Sequence, residues 1–345
     1  MAFTLPRRQV LKGALVASAV LSAPWIARAQ AKEYKLSVVG NRPLGTSEAA
    51  FRWTDLVRER TQGRIDIKVY PASQLVGGDP TRELVAMRQG IIDFIVSSTI
   101  NISPQVREMN LFSLPFLMPD HAAFDALTTG DVRAKLDAVL AARDTVALAW
   151  SENGFRQVSN SKRDVRKPDD MKGLKIRFAA GAIFSEIFTA LGANPLQMSW
   201  GDLQPALASG AVDGQETPIN VFLQTRLDAV QQKHLTIWNY TADANIFHVA
   251  TPIWNAFSAA DKDVVRASAE EAAKEHTAAT RKGISAPDRS SYDELARRKV
   301  EVVILSEGEK DAFRKATRPM FDNWAGQIGA DLAKAAETAI ARRPA

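Results

Sequence analysis

The chain has 345 residues, 46% of them apolar and 24% charged, with a net charge of +5 and no cysteine. That length and balance fit a folded chain with one large core or two smaller ones and argue against disorder. The missing cysteine excludes disulfides, thiolate metal sites and cysteine nucleophiles.

The first 29 residues, MAFTLPRRQVLKGALVASAVLSAPWIARA, hold Arg7, Arg8, Lys12 and Arg28 and no acid. A charged start, an apolar run from Gly13 to Ile26 and Ala27-Arg28-Ala29 before Gln30 have the order of a secretory signal peptide. The run is too short for a membrane span and contains Pro24. Residues 6–12, PRRQVLK, also resemble a twin-arginine export signal. Pro6 and Val10 stand where that pattern prefers Ser or Thr and Phe, so the general export route stays open. The expected location is the periplasm. The remainder is within one charge of neutral, which gives no case for a nucleic-acid partner.

YKLSVV (34–39) and RIDIKVY (64–70) alternate as strands do, and SEAAFRWTDLVRERT between them reads as an amphipathic helix starting at Ser47. Asp79-Pro80 offers an N-cap with proline at the first helical position, and Gly90 stops that helix. The nearly all-apolar IIDFIVSS (91–98) fits a strand buried on both faces. Strands and helices alternating at this spacing predict βαβ units and a mostly parallel sheet. After the loop LFSLPFLMPD (111–120) come two helices and the strand TVALAW (145–150). KGLKIRF opens a second α/β series: a helix, NPLQM, a helix, AVDGQE, then HLTIWNY and NIFHVATPIW as strands. A long helix is expected from Ser258 to about Lys282, followed by VEVVIL and a terminal helix started by a capping box, Ser306 with Glu309. No repeat and no single flexible linker is visible, so two lobes joined by several crossings are expected, with a ligand cleft between them.

Signatures of catalysis are scarce. No G-x-S-x-G, Walker loop, G-x-G-x-x-G or H-E-x-x-H occurs, and His121, His234, His248 and His276 are far apart. Asp213 and Glu216, three apart around a glycine turn, could form a carboxylate pair for acid–base work. A turn-forming Asp and a ligand-ordering Glu account for them as well. Arg177 falls near the end of the strand K-I-R-F, where α/β sheets collect ligands, although an arginine on the outer face of a strand is most often simply solvated. SENGFRQVSNS follows TVALAW directly, which places Arg156 just beyond another strand end. Two arginines at corresponding ends would converge on one cleft, and a guanidinium matches a carboxylate bidentately where lysine cannot.

Six stretches together carry a resemblance: ERTQGRIDIKVYPASQLVGGD, LFSLPFLMPD, ENGFRQVSNSK, KPDDMKGLKIRF, ALGANPLQMSW and ALASGAVDGQETP. Their order and spacing, from about residue 34 to 330, resemble those of the substrate-binding proteins of tripartite ATP-independent periplasmic (TRAP) transporters. The resemblance implies an α/β, two-lobed periplasmic binding protein fold (type II-like) with a long helix spanning both lobes. It implies closure on a small organic acid and delivery to membrane subunits, with no cofactor, no metal and no catalytic step. It places the carboxylate-binding arginine on Arg177 and a second ligand-contacting arginine on Arg156. After the acidic Glu216 this chain has Thr217 where the family often has Asn, which exchanges an amide for one hydroxyl. Pro205 lies inside a helix that relatives usually begin with an acid, a departure that bears on where that helix starts.

Softer cleft candidates are Asn41 after the first strand, Asp79, Asn101 after the third, and Trp238, Tyr240 and Asp243 near the last crossing. For each, a cap, a turn or a packed aromatic is the commoner explanation, and Trp200 reads as a core or staple residue. The expected lobes are 30–153 with 242–281, and 154–241 with 282–345. The expected protein is a monomer that binds a dicarboxylate, hydroxy or keto acid, sugar acid or aromatic acid, two arginines leaning toward a dicarboxylate or a highly oxygenated acid. An exported hydrolase or lyase using Asp213, Glu216 and a histidine is the alternative, and an adhesive domain without small-molecule binding is a third.

Overall fold

The computed structural model describes residues 33–343; the expected leader and cleavage site lie outside them. Ten strands are present among the described residues: β1 (Glu33–Val38), β2 (Asp66–Tyr70), β3 (Phe94–Ser98), β4 (Thr145–Asn160), β5 (Lys175–Phe178), β6 (Asn194–Gln197), β7 (Gly214–Pro218), β8 (His234–Ile237), β9 (Ala242–Ala250) and β10 (Glu301–Ile304). They run in the order β2-β1-β3-β9-β4-β7-β5-β6, with β8 pairing β4 and β10 pairing β8. The expected parallel units are there, β2-β1-β3 and β7-β5-β6, while every pairing made by β4 or β9 is antiparallel.

The helix Gly45–Arg60 links β1 to β2 and buries Trp53 and Val57 against β1 and β3. As its apolar composition requires, β3 is buried throughout. Asp79 caps as expected, its carboxylate accepting from Thr81 N at 3.0 Å, although the turn Pro80–Arg82 is 3₁₀ before the helix Glu83–Arg88 begins.

The largest departure is β4. The strand does not stop at Trp150 but continues through SENGFRQVSN, so Arg156 is inside a strand and not beyond its end. Its first part pairs β9 as far as Phe155; from Arg156 onward it pairs β7, and Val158–Asn160 also pair β8. One strand therefore belongs to both halves of the sheet. The register shifts between Glu152 and Gly154, a bulge where Gly154 takes φ 123°. A Cβ there would stand 2.9 Å from the Pro218 Cβ, so the crossing requires glycine. Polar residues that look like a loop are held inside the strand by distant partners. Ser151 meets His276 at 3.0 Å, and the Arg281 Nε donates to Glu152 at 2.7 Å.

The long helix runs Ala259–Arg281, with the Ser258 hydroxyl accepting from Asp261 N. Near its start Trp53 Nε1 donates to Val265 O at 3.1 Å, and near its end Asn220 Nδ2 donates to Thr280 Oγ1 at 3.3 Å, so it touches segments beside β1 and just after β7. The Ser306–Glu309 capping box forms. Two helices, Glu307–Ile328 and Ala330–Ala341, stand where one was expected, parted at Gly329, and Ser290–Arg297 is a further unanticipated helix. The helix Trp200–Ser209 keeps Pro205 within it.

Candidate functional site

A cavity of about 370 Å³ opens among the carboxyl end of β3, the middle of β4, the ends of β5 and β7, and the start of β9. Its wall includes Arg156, Arg177, Thr217, Asp79, Asn101 and Asp243, six of the residues singled out from sequence. Asn41 is exposed and faces an adjoining outer groove of about 470 Å³. Glu216 and Tyr240 are fully buried behind Arg156 and do not line the cavity.

Arg177 is 1% exposed. The alternation K-I-R-F puts it on the face that sequence reasoning gives to solvent, but that face is covered: the guanidinium lies 5.8 Å from the Trp200 ring. Its Nε and one Nη2 hydrogen donate to Met198 O at 3.0 and 2.8 Å. The other three of a guanidinium's five N–H groups have no partner among the described residues, and no carboxylate pairs with it. Burial lowers its pKa to about 10, with Arg156 adding to the push and Glu216 and Asp202 pulling back. An unpaired buried charge is costly, so the arrangement favours an incoming anion.

Arg156, 5% exposed, is in the opposite condition. Its Nε and Nη2 grip the Glu216 carboxylate, Nη2 also donates to Glu216 O at 2.8 Å, and Nη1 donates to Asp243 Oδ2 at 2.9 Å. One Nη1 hydrogen remains. Burial alone would lower its pKa; Glu216 and Asp243 outweigh that and hold it above the ordinary arginine value. The acids are fixed in turn. Tyr240 Oη donates to Glu216 at 3.0 Å, while Ser98 Oγ and Asn153 Nδ2 donate to Asp243 at 2.5 and 2.8 Å. This cluster ties β3, β4, β7 and β9 together.

Beyond the arginines and the carboxylates of Asp79, Asp202 and Asp243, the polar wall is made of neutral groups. Neither the Asn101 amide nor the Thr217 hydroxyl has a hydrogen-bond partner among the described residues, although both are buried. Asn245 Nδ2 donates to Thr46 Oγ1 at 2.9 Å and its carbonyl oxygen is unpaired. Sequence reasoning missed Thr46, Ser98, Asn153, Asn245 and the cavity-facing Trp200; no motif marks Thr46, Ser98 or Asn245, whereas Asn153 lies inside the stretch ENGFRQVSNSK. Trp200 directly follows M-S at the β6 end, a position that could have signalled it. Asp213 is not paired with Glu216: it accepts from Lys175 N at 2.9 Å and lies 3.5 Å from Lys162 Nζ. The four histidines bond to Glu152, Asp164, Thr145 and Ser151, away from the cavity, and no metal-ligating cluster occurs among the described residues. No helix among those residues is long and apolar enough to cross a membrane.

A buried arginine with no anionic partner among the described residues, in a polar cavity where two parts of an α/β sheet meet, is the geometry of a solute-binding protein, and comparison with known proteins agrees with that class. Residues 42–327 match the family described as "Bacterial extracellular solute-binding protein, family 7", and the chain belongs to that family. It is 52% identical, with a TM-score of 0.89 over 90% of this chain and 99% of the other, to a TRAP periplasmic solute-binding protein of Ralstonia eutropha H16 solved with bound (S)-2-acetolactate. A C4-dicarboxylate-binding periplasmic protein, DctP, of Rhodobacter capsulatus is 29% identical over 96% of this chain and 97% of its own length. An uncharacterized protein of Sinorhizobium fredii, y4mM, is 32% identical over 80% of this chain, which spans only 49% of that protein. The fold is thus the two-lobed one of TRAP solute-binding proteins, an α/β sheet with a long helix.

Proposed function

We propose that the protein is the exported binding component of a TRAP transporter and that it captures a short monocarboxylate carrying hydroxyl or keto oxygens beside the carboxylate. The observation that carries this is Arg177, buried, without an anionic partner and with three N–H groups open to the cavity. In this reading the ligand carboxylate takes those donors bidentately and cancels the buried charge. The Asn101 amide, the Thr217 hydroxyl and the Asn245 carbonyl receive the ligand's other oxygens. A second open arginine would favour a dicarboxylate. Arg156 has one hydrogen left and already faces two acids, which argues against a second ligand carboxylate beside it. The bound (S)-2-acetolactate of the Ralstonia protein supports the same choice.

The two lobes, 30–153 with 242–281 and 154–241 with 282–345, would close over the acid by bending at the crossings in β4, at the start of β9 and at the end of the long helix. Export through the leader, release of the mature chain at Gln30 and delivery of the unchanged acid to the membrane subunits complete the proposal. The test is a thermal-shift screen of (S)-2-acetolactate, other short hydroxy and keto acids, succinate and hexuronates, followed by calorimetry. A ligand at 100 times its Kd stabilises by about 2.7 kcal/mol. Tightest binding of a short hydroxy or keto monocarboxylate is expected; preference for succinate would sink the monocarboxylate reading.

A further inference from the structure

Beside the ligand cavity is a small chamber of about 10 Å³, walled by Leu84, Ile95 and Ile102 and by the polar side chains of Glu83, Ser97, Asn101 and His248. Glu83, Ser97 and His248 come from the helix Glu83–Arg88, from β3 and from β9, and each is at most 2% exposed. Each of these three presents an atom with no hydrogen-bond partner among the described residues: Glu83 Oε2, Ser97 Oγ and His248 Nε2. Buried polar atoms are rarely left unpaired, and three converging on one void call for a shared partner. The void has the volume of one probe sphere, on the order of 10–15 Å³, enough for one water and nothing larger. We propose that the chamber holds a single water molecule bonded to Glu83, Ser97 and His248, and that through it the proton on Glu83 controls the turn Asp79–Arg82 on the ligand-cavity wall.

One water can bond to all three atoms in either protonation state of Glu83. Thr145 Oγ1 reaches Val249 O at 3.5 Å and His248 Nδ1 at 3.3 Å, which sets Nδ1 as the donor and leaves Nε2 as an acceptor. A protonated Glu83 donates to the water, which donates to His248 and Ser97. With Glu83 ionised, the water donates to Glu83 and His248 while the Ser97 hydroxyl turns to donate to it. Glu83 Oε1 accepts from Ser37 and Ser73 at 2.7 and 2.8 Å in either state. Two residues, Pro80 and Asn101, line both this chamber and the ligand cavity.

Ionisation is what the site resists. Burial raises the Glu83 pKa to about 7, the two serines opposing and the Asp79 charge adding to it. Across the chamber His248 is kept neutral by burial, its pKa lowered to about 3. Glu83 thus keeps its proton to higher pH when folded than when released, so its contribution to stability is complete below the released value of 4.5 and is lost as pH rises through about 7.

The test uses the ligand-free mature protein and Glu83→Gln, which stays neutral with the same shape. Amide exchange at residues 79–84, corrected for the chemical rate, should quicken about tenfold in wild type between pH 6 and 8, since the opened carboxyl is ionised throughout and the closed one only above its pKa. In Glu83→Gln it should change less than twofold. Parallel behaviour of the two proteins would overturn the control role. A high-resolution crystal structure of the wild type at pH 6 should show one water within hydrogen-bond distance of all three atoms, and an empty chamber would overturn the water site. Neither arm depends on the acid the cavity takes.

Discussion

Arg156 and Arg177 are both long, charged and almost fully buried, and both reach the same cavity, yet they are in opposite electrostatic states. Arg156 is surrounded by Glu216 and Asp243 and has four of its donors committed. Arg177 has a carbonyl and an aromatic ring for company, with no acid hydrogen-bonded to it among the described residues. A buried cation that brings its anions with it is part of the scaffold. One that is buried without them favours an incoming anion, which is why the proposal places the ligand carboxylate at Arg177.

This difference can be broken most forcefully at Arg156. Arg156→Ala would leave two carboxylates buried together, and breaking a buried pair typically costs about 3–5 kcal/mol of stability. The expected result is a clear drop in the urea midpoint of the ligand-free protein; an unchanged midpoint would remove the distinction. Arg177→Ala should do the reverse. Ligand-free stability should hold or rise, while calorimetry with the best acid should show a loss of about 2–5 kcal/mol, or roughly 30- to several-thousand-fold in Kd. Arg177→Lys should recover little, since an ammonium keeps the charge and loses the fork. Affinity within threefold of wild type for both Arg177 variants would return this residue to a purely structural role.

Smaller effects sharpen the neutral wall. Thr217→Val removes one hydroxyl at nearly constant shape, and a single neutral hydrogen bond is worth about 1 kcal/mol, so about fivefold in Kd. It should weaken hydroxy acids and spare an analogue lacking that oxygen; equal losses for both would separate Thr217 from the ligand. Affinity should also be flat from pH 6 to 9. Only the cationic form of Arg177 binds, and its pKa in the empty protein is lowered to about 10, so affinity is present below that value and falls as pH rises through it. A drop of about twofold near pH 10 is expected, from half-occupancy of the charged form. A fall already complete at pH 8 would point to another titrating group.

Arg177 was legible in the sequence because its strand is short, regular and marked by alternation, and because K-G-L-K-I-R is part of an ordered set of stretches. Its burial was not, since the cover comes from Trp200 and Met198 on a later segment. The opposite holds around Arg156. Residues S-E-N-G have the composition of a loop, and partners distant along the chain make them a strand interior: Asp243, His276 and Arg281, 90 to 129 positions away, and His121 on Glu152. The expectation that Arg156 stands at a strand end failed for that reason. Local helical signals fared better: the Asp79 cap and the Ser306–Glu309 box both form, because capping depends on residues within one turn.

The continuity of β4 also bears on how the molecule comes apart. Sixteen residues of one strand are hydrogen-bonded to β9 at one end and to β7 and β8 at the other, so neither half can lose its sheet without freeing part of the other's. Two lobes on a flexible tether would melt as two events. Lobes sharing a spine are thermodynamically one body, and heating should produce a single calorimetric transition whose enthalpy equals the van't Hoff value.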